Sequence, residues 1–117
     1  MTTLARIVDE WHDGVGVARL DGEIDASNVH DIGDRLRSMI TNRSFSLIID
    51  LSGIAYVDSA GINLMFSLAE EMRGRQQRLA IVVGDGSPIA RMMALTGLDR
   101  AVAVHASLPA ALSSAKG

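Results

Sequence analysis

The stretch Val57-Asp58-Ser59-Ala60-Gly61 joins two apolar runs of different period. Before it, Leu47-Ile48-Ile49 forms a continuous apolar run within residues 46–51, the pattern of a strand covered on both faces. Ser52-Gly53 follows, and Ile54-Ala55-Tyr56-Val57 leads into the turn. After it, Ile62, Met65, Phe66, Ala69 and Met72 recur at helical spacing, which predicts a helix over about residues 60–72. Arg73 and Gly74 read as its end, a cation near the negative pole and then a C′ glycine. A strand-to-helix turn aims a hydroxyl at the free N–H groups of a new helix. Ser59 in that place can cap the helix, attack a substrate or accept a phosphate.

Working outward, residues 4–11 and 15–20 read as two short strands. His12-Asp13-Gly14 between them is a hairpin turn, with Asp-Gly supplying positive φ. Residues 21–25, Asp-Gly-Glu-Ile-Asp, break the strand pattern. Val29, Ile32, Leu36, Met39 and Ile40 then predict a helix over residues 28–40, with Asp25 or Ser27 as its cap. Residues 79–83 form the clearest buried strand. Ser87-Pro88 opens a third helix with a core face of Ile89, Met92, Met93 and Leu95, and Gly97 ends it. A short strand over 101–104 and an Ala-rich helix over 107–114 close the chain. Two strands followed by alternating helix and strand predict an α/β fold: a mixed, largely parallel sheet with an N-terminal hairpin and about four helices.

The chain has 117 residues, the size of one domain, and 48% of them are hydrophobic. Only 3% are aromatic, so the core is aliphatic and Met-rich. A net charge of −3 argues against nucleic acid as the main partner. There is no cysteine, which excludes disulfides, thiolate metal sites and a Cys nucleophile. No apolar run approaches the roughly 20 residues of a membrane span, and the N-terminus lacks a signal peptide's apolar stretch. The expectation is a cytoplasmic domain without membrane insertion.

Several chemistries fail on spacing. His12, His30 and His105 are scattered and offer no metal-ligand pattern, so no metal and no cofactor is expected. Gly84-Asp85-Gly86 lacks the third glycine of a dinucleotide fingerprint, since Ile89 stands there. Ser59, Asp85 or Asp99, and His105 fit the chain order of a serine hydrolase, but Val57 replaces the first glycine of the nucleophile elbow. Asp50 with Asp9-Glu10 suggests a phospho-acceptor aspartate, yet the single Lys, Lys116, lies beyond the last strand. Arg73, Arg75 and Arg78 read as a solvated helix end and loop. The chain is not expected to be an enzyme. Spacing alone leaves Ser59 explained by N-capping, with a regulatory phosphate as the other reading.

The run from Ile48 to Ile62, Ile-Ile-Asp-Leu-Ser-Gly-Ile-Ala-Tyr-Val-Asp-Ser-Ala-Gly-Ile, resembles the signature of STAS domains. Leu20-Asp21-Gly22-Glu23-Ile24-Asp25 resembles the segment before that family's first helix, and residues 87–98 resemble its third-helix segment. The resemblance implies one STAS domain over residues 1–117 acting as an anti-sigma-factor antagonist. The implied partner is an anti-sigma factor that is also a serine kinase, with a metal-dependent serine phosphatase reversing its mark. By resemblance, Ser59 matches the phosphorylated position. Asp58, Ala60, Gly61, Gly22, Glu23 and Asp25 fall at or near the partner surface. Ala60 stands where many members carry a second hydroxyl, and Asn63 where close members often have Gly. The alternative is an accessory STAS subunit of a signalling or lipid-transport complex, in which Ser59 is only a cap.

Overall fold

A computed structural model describes residues 5–40 and 46–116. The hairpin forms from β1 (Ala5–His12) and β2 (Val15–Ile24), paired antiparallel from Ala5↔Gly22 to His12↔Val15. Asp13 (φ 52°) and Gly14 (φ 86°) make its turn, the positive-φ pair that a two-residue hairpin loop needs. Leu4, the first residue of the expected strand, lies outside the described residues.

Residues 21–24 do not break the strand. β2 runs on through them to Ile24 and absorbs their irregular pattern in two register slips against its neighbour, at Arg19/Asp21 and Gly22/Glu23. Bulges let a strand carry polar residues out of alternation, which is why periodicity alone ended it at Leu20. β3 (Ser46–Val57) is likewise one twelve-residue strand and continues past Ser52-Gly53. It lies parallel to β2 and to β4 (Arg78–Val82), and β5 (Ala103–His105) lies parallel to β4, giving the order β1-β2-β3-β4-β5. The sheet is mixed and largely parallel, as the element order predicts.

Helices α1 (Val29–Ser38), α2 (Ser59–Gly74), α3 (Pro88–Thr96) and α4 (Leu98–Ala101) carry the parallel crossovers. Their apolar faces, with Leu36, Met65, Leu68 and Met93 fully buried, pack on one side of the sheet against Leu20, Leu47, Ile49 and Ile81. Helix α5 (Leu108–Lys116) covers the other side, where Ala111 seals a smaller cluster of Val15, Val17, Ile48 and Val82. No helix among the described residues is long and apolar enough to cross a membrane.

Several boundaries move for identifiable reasons. The described residues form five helices rather than four, because residues 98–101 close a short turn through Val102 N–H to the Leu98 carbonyl and push β5 to Ala103–His105. Ser87 caps α3 through Ala90 N–H (3.1 Å) and Gly97 ends it at φ 82°, both as expected, but Leu95 is 82% exposed and leaves the core face to Ile89 and Met93. Gly74 is inside the last turn of α2, and Gln76 (φ 59°) takes the left-handed position expected of it. Neither Asp25 nor Ser27 caps α1; its N-cap residue is Asn28.

Candidate functional site

The parallel register delivers the C-terminal ends of β2 and β3 side by side, Glu23 against Tyr56 and Ile24 against Val57. The chain leaves both strands there, into the 25–28 turn before α1 and directly into α2. Asp58 binds these two exits together. Its N–H donates to the Ile24 carbonyl (3.1 Å), and its Oδ2 accepts from Ala26 N–H (3.2 Å). Its Oδ1 accepts from Ala60 N–H (2.9 Å) and Gly61 N–H (3.1 Å), which makes Asp58 the N-cap of α2. A carboxylate there also faces the positive pole of a sixteen-residue helix.

Ser59 is therefore not the cap that the sequence suggested. It is the first residue of α2, exposed, and among the described residues its hydroxyl has no hydrogen-bond partner. The reason is geometric: an N-cap accepts from the N–H groups two and three positions ahead, and Asp58 stands one residue earlier with an acceptor of the right length. Ala60 is half-buried beside it. Gly61 is buried where an added Cβ would sit 2.7 Å from Val57 Cγ1 and 3.0 Å from Ile24 Cγ2. The absence of a side chain is what lets α2 start against the end of β2.

The facing turn is held from below by Asn28, which is 2% exposed. Its Nδ2 donates to the Glu23 carbonyl (2.9 Å) and its Oδ1 accepts from Asp25 N–H (3.1 Å). Asp25 Oδ1 accepts from the Ser27 hydroxyl (2.5 Å) and Ser27 N–H (2.9 Å). The hydroxyl first, and then the amide, hold the Asp25 carboxyl below the ordinary carboxylate range. Gly22 (φ 110°) and Glu23 are half-buried at the bulge that leads into this turn. Asp58, Ser59, Ala60 and Gly61 thus share one rim with Gly22, Glu23 and Asp25, seven positions drawn from two distant segments. Two members of the rim escaped the sequence reading. Asn28 looked like any helix-start residue, and Tyr56, 51% exposed beside Glu23, looked like a strand aromatic.

The rejected chemistries stay apart in space. Among the described residues no hydrogen bond joins Ser59 to Asp85, Asp99 or His105, and no cluster of three His or acidic side chains is placed to hold a metal. Strand alternation separates the acidic pair beside Asp50: Asp9 pairs with Arg35 of α1 (3.2 Å), whereas Glu10 faces Arg19 (3.4 Å). Asp50 itself is buried, and its Oδ1 accepts from Ser52 N–H (2.9 Å) and the Ser52 hydroxyl (2.6 Å).

Comparison with known proteins agrees with this architecture. The family model "STAS domain" matches residues 6–111. The anti-sigma-F factor antagonist RsfB of Mycobacterium tuberculosis is 28% identical over 106 residues, 91% of this chain and 85% of that protein. The anti-sigma-B factor antagonist of Listeria monocytogenes is 30% identical over 78 residues, 67% of this chain and 68% of that protein. A crystal structure of an anti-sigma factor antagonist from Mycobacterium paratuberculosis superposes with a TM-score of 0.88 at 26% identity, covering 97% of this chain and 95% of that one. With a matched family model over nearly its whole length, the chain belongs to the STAS domain family.

Proposed function

We propose that this chain is an anti-sigma-factor antagonist of the cytoplasm that works by partner switching. It captures an anti-sigma factor that is also a serine kinase. That kinase phosphorylates Ser59 and so releases itself, and a metal-dependent serine phosphatase restores the capturing form. The names borne by the relatives support the antagonist role. The observation that carries the Ser59 switch is local: Asp58 satisfies the first turn of α2, so the exposed Ser59 hydroxyl is left with no structural task.

The charge balance explains how a phosphate acts there without unfolding the domain. Phosphorylation adds about −1.5 to −2 charge at pH 7. The helix dipole favours that charge at the start of α2. The Ala60 and Gly61 N–H groups, however, are already held by Asp58. The phosphate therefore stays on the surface, next to the Asp58 carboxylate and across the rim from Asp25. A partner surface shaped for a neutral hydroxyl meets bulk and uncompensated charge. A loss of about 3–4 kcal/mol weakens binding a hundredfold or more.

The test is a pull-down of a candidate anti-sigma kinase with wild type, Ser59→Ala and Ser59→Asp. Ser59→Ala should bind as the wild type does and Ser59→Asp at least a hundredfold more weakly. Equal binding by Ser59→Asp sinks the switch. Incubation with the kinase and ATP, read by mass spectrometry, should add one phosphate at Ser59; an unmodified Ser59 favours the accessory-subunit role instead.

A further inference from the structure

Three arginines from three separate elements line one open groove at the pole of the molecule opposite Ser59. Arg73 comes from the last turn of α2, Arg78 from the start of β4 and Arg100 from α4, around a volume of about 430 Å³. Each is exposed, and among the described residues none of the three takes part in an ion pair. Arg19, Arg35 and Arg37, by contrast, all face carboxylates. A cation at a helix C-terminus complements the dipole, which accounts for Arg73 alone. It does not account for Arg78 on a strand or for Arg100, brought in from 22 positions further along the sequence. A chain with a net charge of −3 that gathers three guanidinium groups around a groove lined, among the described residues, by no acidic side chain has built a local field against its own overall sign.

We infer that this groove docks an acidic segment of a partner protein. Guanidinium forks grip carboxylates in a bidentate manner, and three of them around one groove can engage successive acidic side chains. Between them lie Gln77 and the apolar Ala69, Leu79, Ala101, Val102 and Ala103. Small side chains of this kind give a chain laid across the groove room for one apolar anchor. A small phosphorylated ligand is normally enclosed over most of its surface. Here all three cations stand exposed at the rim and the groove opens to solvent beside the exposed Ala103. This geometry suits an extended segment better than an engulfed metabolite.

The groove and the Ser59 rim are separated by the length of α2, sixteen residues or about 24 Å. Exposed charges that far apart are screened from each other at physiological salt. A phosphate on Ser59 would leave this second surface unchanged, so the domain could keep hold of one partner while releasing another. The inference does not rest on the Ser59 proposal, and either can fail alone.

The probe is an acetylated, amidated pentapeptide of four glutamates around a central leucine, titrated into the full chain and followed by amide chemical shifts. The perturbed amides should include Ala69, Leu79 and residues 100–103. The Arg73→Gln/Arg78→Gln/Arg100→Gln variant should bind at least tenfold more weakly, and so should the peptide's glutamine counterpart with the wild-type chain. Ser59→Asp should bind within twofold of wild type. Arg100→Gln alone, on a solvent-facing side chain, should weaken binding threefold or more and keeps the comparison available should the triple variant melt early. Shifts centred on residues 22–28 and 58–61, or unchanged affinity in the arginine variants, overturn the inference. So does tighter binding of inorganic pyrophosphate than of the peptide.

Discussion

Replacing Asp58 with alanine removes one side chain that accepts three backbone N–H groups on two segments. The two bonds to Ala60 and Gly61 are the cap of α2, and losing an N-cap typically costs about 1 kcal/mol. The third bond, to Ala26 N–H at 3.2 Å, ties the α1 approach to the α2 start; it is exposed, so it adds at the low end of the usual range, about 0.5–1 kcal/mol. The expected destabilisation is therefore roughly 1.5–2 kcal/mol. For a domain of this size that corresponds to a drop in Tm of about 6–8 °C. Ser59→Ala, one residue along, loses no hydrogen bond, and alanine is the better helix former. It should fall within about 0.5 kcal/mol of wild type.

Urea unfolding distinguishes the two, followed both by far-UV circular dichroism and by the fluorescence of Trp11, the only tryptophan. Trp11 lies over Gly16 on the neighbouring strand, where an added Cβ would be 3.1 Å from the ring, so its emission reports on the sheet and not on the mutated turn. The midpoint should fall for Asp58→Ala at unchanged slope. If Ser59→Ala costs 1 kcal/mol or more while Asp58→Ala is neutral, then Ser59 is the cap. In that case its hydroxyl is engaged, and the main support for a free phospho-acceptor is gone.

Gly61→Ala gains about 1 kcal/mol of helix propensity but forces a methyl against Val57 and Ile24, an overpacking that costs about 1–3 kcal/mol; a net loss of up to about 2 kcal/mol is expected in the same urea assay, and a stabilised variant would show that the strand–helix junction is loose. Asn28→Ala leaves the Glu23 carbonyl and the Asp25 N–H without their buried partner and should cost about 2–3 kcal/mol by thermal melting, more than any substitution at the exposed Ser27. The Asp25 carboxyl, titrated by its carbon chemical shift, should ionise below the ordinary value of 3.8 and move up toward it in Ser27→Ala. A depressed carboxylate contributes stability above its unfolded-state pKa and loses it as pH falls through the folded value, so this contribution disappears only below about pH 4. Titration at or above 3.8 in the wild type would contradict the Ser27 contacts.

The fold was readable where one local signal governed one element. The Asp13-Gly14 pair, the buried run of β4 and the Ser87-Pro88 start of α3 needed no knowledge of their neighbours. The errors lie where a partner strand or helix decides. Residues 21–24 continue β2 only because β3 tolerates register slips beside them, and no single-strand period reveals a bulge shared between two strands. Leu95 has the spacing of a core residue but is exposed, and α3 buries only Ile89 and Met93, so the helix pattern overstated the width of its apolar face. Arg100 could not be grouped with Arg73 and Arg78 until α4 carried it to the groove. At the candidate site, both halves of the rim were visible as motifs. What joins them, the Asp58–Ala26 bond and the buried Asn28, depends on the register of Ile24 against Val57 and is absent from either motif alone.

That junction also explains why two adjacent polar residues, Asp58 and Ser59, are not redundant. A single serine at the helix start would have to cap the helix and receive a modification with the same oxygen, and each phosphorylation would then remove a cap. Here the carboxylate of Asp58 holds the Ala60 and Gly61 N–H groups and the facing Ala26, while the Ser59 oxygen projects from the first helical position. Adding charge to Ser59 changes the surface but breaks none of the three bonds that fix it. The same division sets a limit on engineered mimics. A substitution at Ser59 alters what the rim presents, whereas one at Asp58 alters whether the rim exists. A loss of partner binding in an Asp58 variant therefore counts as evidence on the interface only when its stability has been measured alongside.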